Sequence, residues 1–457
     1  MSSTIKRNKY EIDMCNGTIM DKLISFSLPL MLSGILQLMF NAVDIIVIGR
    51  FSGSQSLAAV GSTTALINMF TNLFIGISLG ANVLSARFYA AGKDKEMSET
   101  VHTAITLALI SGIIMVFVGL IFAKPVLELM DTPDDVINLS TLYMRIYFMG
   151  MPFFMLYNYG ASILRAVGDT KRPLFYLIVA GIANAGLNMC LVIIFHLGVA
   201  GVAIGTVISQ LISSILVLRC LYRSETSYQL HFSKLKIQKE YLKQIFQVGI
   251  PAGIQSTVIN FSNVLLQSSV NSFGSIAMAG YTAANNIFGF LYVTVNAVTQ
   301  ACMSFTSQNY GVGKWKRMDR VLIDCLILSF VAMMILGNSA YFFGPKLLTI
   351  YTSNSKVIQC GMEILLYTTV TYFLCGFMDL FPGALRGMGR SGVPMILSII
   401  GTVGTRIVWI FWIFPNHRSL DILFISYPAS WIITIVLQVI CYYFVRKQLY
   451  AKMIAEA

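Results

Sequence analysis

The sequence predicts an all-α polytopic membrane protein: twelve transmembrane helices in two pseudo-symmetric six-helix bundles, the second a parallel repeat of the first. Three observations predict it. The 457-residue chain is 56% hydrophobic and 11% charged, with a mean hydropathy of +0.73, which is more apolar surface than a soluble core can hide. Its apolar runs exceed the ~20 residues needed to cross a ~30 Å hydrocarbon layer. The chain also repeats itself at an offset of 221 residues: Y-A-A-G-K-D-K from Tyr89 returns as Y-G-V-G-K-W-K from Tyr310, and L-R-A-V-G-D-T-K-R-P from Leu164 as L-R-G-M-G-R-S-G-V-P from Leu385. F-S-G-S at Phe51 and F-G-S at Phe273, and the prolines Pro29 and Pro251, stand at nearly the same separation. A period of this length duplicates a whole bundle and is far too long for a solenoid unit.

The predicted spans are residues 23–49, 57–83, 98–123, 136–161, 172–195 and 198–221 in the first copy, then 241–270, 278–305, 320–343, 357–384, 392–414 and 421–445 in the second. This divides the chain into an N-terminal bundle (1–221), a cytoplasmic linker (222–240) and a C-terminal bundle (241–457). Span one carries Ser33, Gln37, Asn41 and Asp44, spaced by four, four and three residues, so all four share one helical face. An ionised acid facing lipid costs ~2.5–3.5 kcal/mol on insertion scales, which turns this face toward the bundle interior or water. An acid withdrawn there can trade a proton near neutral pH. The matching region of the second copy has Leu265 and Leu266 instead. Two halves that share a frame but differ in one buried acid suggest a transporter with an asymmetric ion or proton site. The competing role for Asp44 is an ion pair with Arg145 of span four, which comes out at a similar depth, roughly 10 Å from the outer boundary. Pro29 stands fifteen residues before Asp44, where it marks a kink or a hinge about 20 Å away along the helix.

Span four is dense in methionine and aromatic side chains, from Tyr143 through Met155 to Tyr157, suited either to packing or to lining a permissive pocket for flat apolar molecules. Spans five and six add Asn184, Asn188 and Thr206, each readable as a bond between helices. Between the copies, L-H-F-S-K-L-K-I-Q-K-E-Y-L-K-Q-I-F sets Leu235, Leu242 and Ile245 among lysines, the pattern either of an amphipathic helix on the inner leaflet or of a basic cytoplasmic linker that does not dock on the membrane. Span seven has its own polar stripe, Ser256, Asn260, Asn263 and Gln267, with amides but no acid, which could touch a solute or, as is commoner, bond neighbouring helices. Glu363 of span ten and Arg406 of span eleven come out at similar depth and are expected to bridge; Asp324, near the inner end of span nine, should pair or snorkel at the surface.

Charge gives the orientation. With the N-terminus inside, 25 of the 32 Lys and Arg fall in inner loops and tails, and five outside (Arg50, Lys124, Lys346, Lys356 and Arg418). The net charge of +12 therefore reports topology and gives no reason to expect nucleic-acid binding. The eight cysteines are scattered without C-x-x-C spacing, and the four histidines stand far apart, so neither a disulfide frame nor a metal centre is expected. The chain shows no nucleophile–base constellation for an enzyme and no phosphate-cradling glycine loop for ATP drive. No cofactor is expected.

N-A-V-D-I-I-V-I-G-R (Asn41 to Arg50) followed by L-A-A-V-G (Leu57 to Gly61) resembles the first-span signature of the multidrug and toxic compound extrusion (MATE) family. P-F-F-M-L-Y-N-Y-G-A-S-I-L-R-A-V-G-D-T-K-R-P, G-V-A-G-V-A-I-G-T-V-I-S and G-A-L-R-G-M-G are similar to that family too, and the resemblance covers essentially all twelve spans, most of all the prokaryotic branch named after a DNA-damage-inducible protein. The resemblance implies a monomeric antiporter of the prokaryotic cytoplasmic (inner) membrane, both termini cytoplasmic, exporting small organic cations or amphipathic compounds against inward H+ or Na+. It implies Asp44 as the coupling acid, Pro29 as the hinge, and Asn158, Asn188 and Thr206 as supporting polar residues, with Asn184 a neighbouring candidate. Gln37, Asn41, Met155, Asn260, Asn263 and Gln267 are the expected substrate contacts, and membrane lipids the surroundings. Two departures matter. Val192 stands where many members have a second acid, and Ile259 and Asn260 occupy the stretch of span seven where some members carry one. A Na+ ion wants several oxygen ligands, so the expectation is H+ over Na+. The alternative is a flippase for a lipid-linked saccharide or cell-wall precursor, disfavoured because only Arg145 and Arg406 are intramembrane cations.

Overall fold

The structure, a computed structural model, describes residues 8–130 and 132–456 and is almost entirely helical. Lys6 and Arg7, counted above among the inner cations, lie outside the described residues. Helices α1 (Met20–Phe51), α2 (Gly53–Ala90) and α3 (Asp94–Leu129) follow one another directly. Span four is two helices, α4 (Asp134–Met149) and α5 (Met151–Ala166), and α6 (Lys171–Met189) runs on through a wide π turn, Cys190–Ile194, before α7 (Gly198–Tyr222). The second copy repeats the order: α8 (Lys239–Asn271), α9 (Ser275–Gly311), α10 (Trp315–Phe342), short α11 (Gly344–Thr349), α12 (Ser355–Thr369), α13 (Tyr372–Gly387) and α17 (Leu420–Glu456). Between α13 and α17 the chain climbs in segments, α14 (Gly392–Ser398), α15 (Thr405–Val408) and α16 (Phe414–Asn416), joined by π turns.

Nine helices among the described residues are long and apolar enough to cross a membrane, and the pair α12–α13, bent by 43°, makes a tenth. The two spans that complete the twelve are diluted for visible reasons. α8 carries the amide stripe, and α4–α5 is interrupted at Gly150 and burdened by Asp134, Asp135 and Arg145. The interruption recurs: Thr371, between α12 and α13, stands 221 residues after Gly150.

Backbone geometry explains why certain glycines survive in both copies. Gly53, Gly92 and Gly168 have φ of 83°, 65° and 96°, and Gly274, Gly313 and Gly389 have 93°, 69° and 81°. Each of the second set lies 221 residues after its counterpart. A side chain in the left-handed region meets its own carbonyl, so these turns keep glycine.

The chain resolves into two compact units. One comprises residues 8–13 and 28–253, the other 14–27 and 254–456. Of the three crossings, those at 27/28 and 253/254 fall within a few residues of the prolines inside α1 and α8, Pro29 and Pro251. In the first unit α3 packs on α4 and α5, α2 on α5, and α6 on α7. Their core holds Ile48, Phe148 and Tyr159 without exposure, with Ile105 buried beside them. Small residues allow the close approach: Gly112 of α3 rests on Pro152, and Gly160 of α5 on Val217 of α7. In the second unit α9 is central, packed on α10, α12 and α13, with α17 on α13. The leading residues of α1 belong to this unit. Phe26 meets Phe305 edge-on at 5.6 Å, Asn309 Nδ2 donates to Met14 O (3.1 Å), and Lys314 Nζ donates to Cys15 O (2.9 Å).

The linker is not the amphipathic helix its pattern suggests. Between α7 and α8 it makes turns, extended stretches and a single 3-10 turn, Phe232–Lys234. The backbone finds partners outside itself, which is why no helix is needed to satisfy it. His231 N–H donates to His102 Nε2 (3.0 Å) and Gln238 N–H to Thr103 Oγ1 (3.2 Å), both on α3, while the two histidine rings stack at 6.2 Å. Ile245, read as part of the membrane-facing side, is fully buried in the first unit's core.

Candidate functional site

Asp44 lies in the last third of α1 and is 9% exposed. Its carboxylate accepts a hydrogen bond from Asn188 Nδ2 of α6. The same nitrogen donates to Asn184 Oδ1 one turn earlier (3.2 Å), and Asn184 Nδ2 donates to Thr206 Oγ1 of α7 (3.4 Å). One acid is thus tied to two neighbouring helices through neutral amides and a hydroxyl. α7 can come this close because Gly205 faces Asn188; a Cβ there would collide with the amide oxygen. Directly after Asn188 the helix widens into the π turn, a distortion frequent at functional sites. Val192, within that turn, is 2% exposed and contributes only apolar surface.

Asp44 stands in the wall of a cavity of about 380 Å3 inside the first unit. Gln37 and Asn41 line it from α1, Asn158 from α5, Asn184 from α6 and Thr206 from α7. Tyr143 and Tyr147 of α4 and Phe154 and Tyr157 of α5 give it aromatic walls. The structure therefore brings together the first-copy candidates, with distinctions. Asn188 sits behind the acid, fully buried, and Asn158 donates to Phe154 O of its own helix (2.8 Å) and stays outside the Asp44 network. Met155 is fully buried in the packed core and does not line the cavity, although its neighbours do. At the other end of the stripe, Ser33 Oγ donates to Pro29 O (2.8 Å), and α1 runs unbroken through Pro29.

Neither the competing ion pair of Asp44 nor the expected bridge of Glu363 is made among the described residues. No bridge joins Asp44 to Arg145 among the described residues: the acid turns toward α6 and α7, while Arg145 is exposed on α4. Arg406 is buried, but its partners are on α8 rather than Glu363. Nη1 donates to Ser262 Oγ (2.8 Å) and Asn263 Oδ1 (2.7 Å), and the guanidinium lies over the Tyr427 ring at 4.7 Å. This occupies Asn263, whereas Asn260 and Gln267 of the same stripe are exposed. Asp324 is paired, with exposed Arg320 one turn earlier (3.1 Å), but is itself buried rather than at the surface.

Two further cavity walls carry no acid and come from α2 and α7. Thr64, Asn68, Thr71 and Asn72 of α2 and Ser209, Gln210 and Ser213 of α7 also face the space. Their three- and four-residue spacing carries the same stripe signal as α1, but no acid draws attention to it.

Three comparisons bear on what this site serves. The family model MatE matches twice, over residues 29–190 and 251–412. The chain is 30% identical over 434 residues to a probable multidrug resistance protein, YoeA, of Bacillus subtilis (strain 168), covering 93% of each chain. It is 23% identical to the multidrug export protein MepA of Staphylococcus aureus (strain NCTC 8325 / PS 47), covering 83% of this chain and 84% of that one. Among solved structures it is similar to an outward-facing multidrug resistance MATE family transporter of the MOP superfamily, with a TM-score of 0.87 at 20% identity, covering 98% of this chain and 99% of that one.

Proposed function

The chain belongs to the MatE family, whose members are transporters and not enzymes, and we propose that it is a secondary active antiporter that exports organic cations or amphipathic drugs in exchange for H+. It works in the cytoplasmic membrane as a monomer with both termini inside, the orientation that the lysine and arginine distribution favours.

One observation carries the reading. A buried carboxyl, held by neutral donors, borders a cavity with amide and aromatic walls. While Asp44 is ionised the cavity bears a negative charge, and the aromatic wall of Tyr143 and Tyr147 adds apolar surface for an organic cation. Protonation removes that charge and with it the cation's main attraction. Proton and substrate then compete for one site, which is the condition for exchange. A proton needs only this carboxyl. A Na+ ion needs further oxygens, and Val192 supplies none. Pro29 is the proposed hinge, and Asn184, Asn188 and Thr206 support the acid, whereas Asn158 only lines the cavity; Gln37 and Asn41 contact substrate.

The test is efflux of a fluorescent organic cation from proteoliposomes under an imposed H+ or Na+ gradient, comparing wild type with Asp44→Asn. Proton-driven efflux that the substitution abolishes is the expected result. Sodium drive would overturn the ion assignment, and normal transport by Asp44→Asn would remove the coupling acid. If neither gradient moves any cation, flipping of a lipid-linked precursor becomes the better explanation.

A further inference from the structure

A second cavity, of about 450 Å3, opens at the other end of the first unit, between the N-terminal end of α6 and the C-terminal end of α7. Arg172 lines it from α6, Arg219 and Arg223 from α7. The three arginines are not alike. Arg172 is held in place: its guanidinium pairs with Asp169, Nη2 donates to Tyr228 Oη (3.4 Å), and the Tyr10 ring lies beneath it at 5.4 Å. Arg219 and Arg223, on consecutive turns of one helical face, are exposed, and their guanidinium groups make no hydrogen bond or ion pair among the described residues. Glu225 also reaches the pocket but has an interaction of its own, while Ser224 and Thr226 hold hydroxyls 2.6 Å apart.

The surroundings say which side the pocket serves. On α6 the Asp44 cavity takes Leu177, Gly181 and Asn184; on the opposite face Phe175 is 60% exposed. On α7 the Asp44 cavity takes Thr206, Ser209 and Ser213, and Ile215 and Tyr222 are 52% and 51% exposed on the face that carries Arg219. Exposed apolar side chains on membrane-spanning helices face acyl chains. The arginines therefore sit at the inner end of a lipid-facing furrow.

We propose that this pocket binds the phosphate of an anionic phospholipid of the inner leaflet, with Arg219 and Arg223 as the phosphate ligands and Arg172 as a fixed third positive wall. The assignment to the inner leaflet rests on the orientation proposed above; the ligand chemistry does not depend on what the transporter exports. Guanidinium groups suit phosphate because their fork matches two oxygens at once, and basic pockets between helices on the cytoplasmic side are the recurrent form of such sites. Phe175, Ile215 and Tyr222 offer the tails an apolar bed.

Native mass spectrometry of the full-length protein, titrated with phosphatidylglycerol or phosphatidylcholine, tests this without reference to transport. The arginine pair should give phosphatidylglycerol tighter binding than phosphatidylcholine. Arg219→Gln with Arg223→Gln should weaken the phosphatidylglycerol complex about 25-fold, roughly 5-fold for each cation at a membrane surface. The Lys–Lys double variant should retain most of the affinity, and inorganic phosphate or glycerol 3-phosphate should fail to displace the lipid. Equal binding of the two lipids, or unchanged phosphatidylglycerol affinity in the glutamine variant, would overturn the proposal. Displacement by inorganic phosphate would overturn it too, by assigning the pocket to a soluble anion. Should the glutamine variant melt lower than wild type, the lysine variant against wild type carries the comparison: charge-driven binding survives it.

Discussion

Removing the Asn188 side chain amide should damage coupling far more than removing the other asparagines around the cavity. Asn188 Nδ2 donates to the Asp44 carboxylate and to Asn184, so Asn188→Ala strips the acid of its amide donor while leaving its burial intact. A hydrogen bond to a charged group contributes about 1.5–3 kcal/mol, which is roughly 10- to 150-fold in any step that needs the ionised acid. Asn184→Ala loses two neutral pairs, the bond from Asn188 at 3.2 Å and that to Thr206 at 3.4 Å, but leaves the charged bond to Asp44; each neutral pair contributes about 0.5–1.5 kcal/mol, or roughly 2- to 12-fold. Asn158→Ala loses a bond to its own helix, Phe154 O at 2.8 Å, outside this network, and should change the rate by less than about 3-fold. The assay is the initial rate of pH-gradient-driven efflux in proteoliposomes, normalised to inserted protein, with melting temperatures of the purified variants as the folding control. The predicted order is Asn188 first, then Asn184, then Asn158. If Asn158→Ala proves as harmful as Asn188→Ala at equal stability, the hydrogen-bond chain does not organise the acid and the reasoning fails.

Two further predictions concern the frame. Gly168 has φ 96°, and a Cβ there would also press on the backbone of Ile12, so Gly168→Ala should lower stability by about 1–3 kcal/mol; Gly186, helical and open, should accept alanine with a gain of up to about 1 kcal/mol, both read by thermal melting in detergent. Arg406→Met should destabilise the protein by about 1–3 kcal/mol, because Ser262 and Asn263 lose their shared donor, whereas Glu363→Gln should fall within about 0.5 kcal/mol of wild type; a large effect of Glu363→Gln would restore the bridge between them.

Legibility in the sequence followed the kind of information each feature needs. The repeat was readable because identical turns need glycine at identical places, as Gly92 and Gly313 show. The Asp44 stripe was readable because helical spacing fixes which residues share a face. Ion pairs were not. Counting residues gives depth along a span but not the direction a side chain takes around it, so Glu363 and Arg406 matched in depth and still missed each other. Met155 failed for the same reason, its neighbours lining the cavity while it points into the core. The linker misled because its leucine–lysine alternation says nothing about His102 and Thr103, which lie more than a hundred residues away and supply its partners.

The exchange of segments at Pro29 has a consequence for how the chain is made. Met14–Ser27 belongs with residues 254–456, so it emerges from the ribosome long before anything it packs against exists. Phe26 waits for Phe305, 279 residues later, a delay of roughly 15–55 s at ordinary rates of synthesis. During that interval the apolar start of α1 has no protein neighbour in its own unit. It must be sheltered by lipid or by the insertion machinery, and the second unit closes over it last.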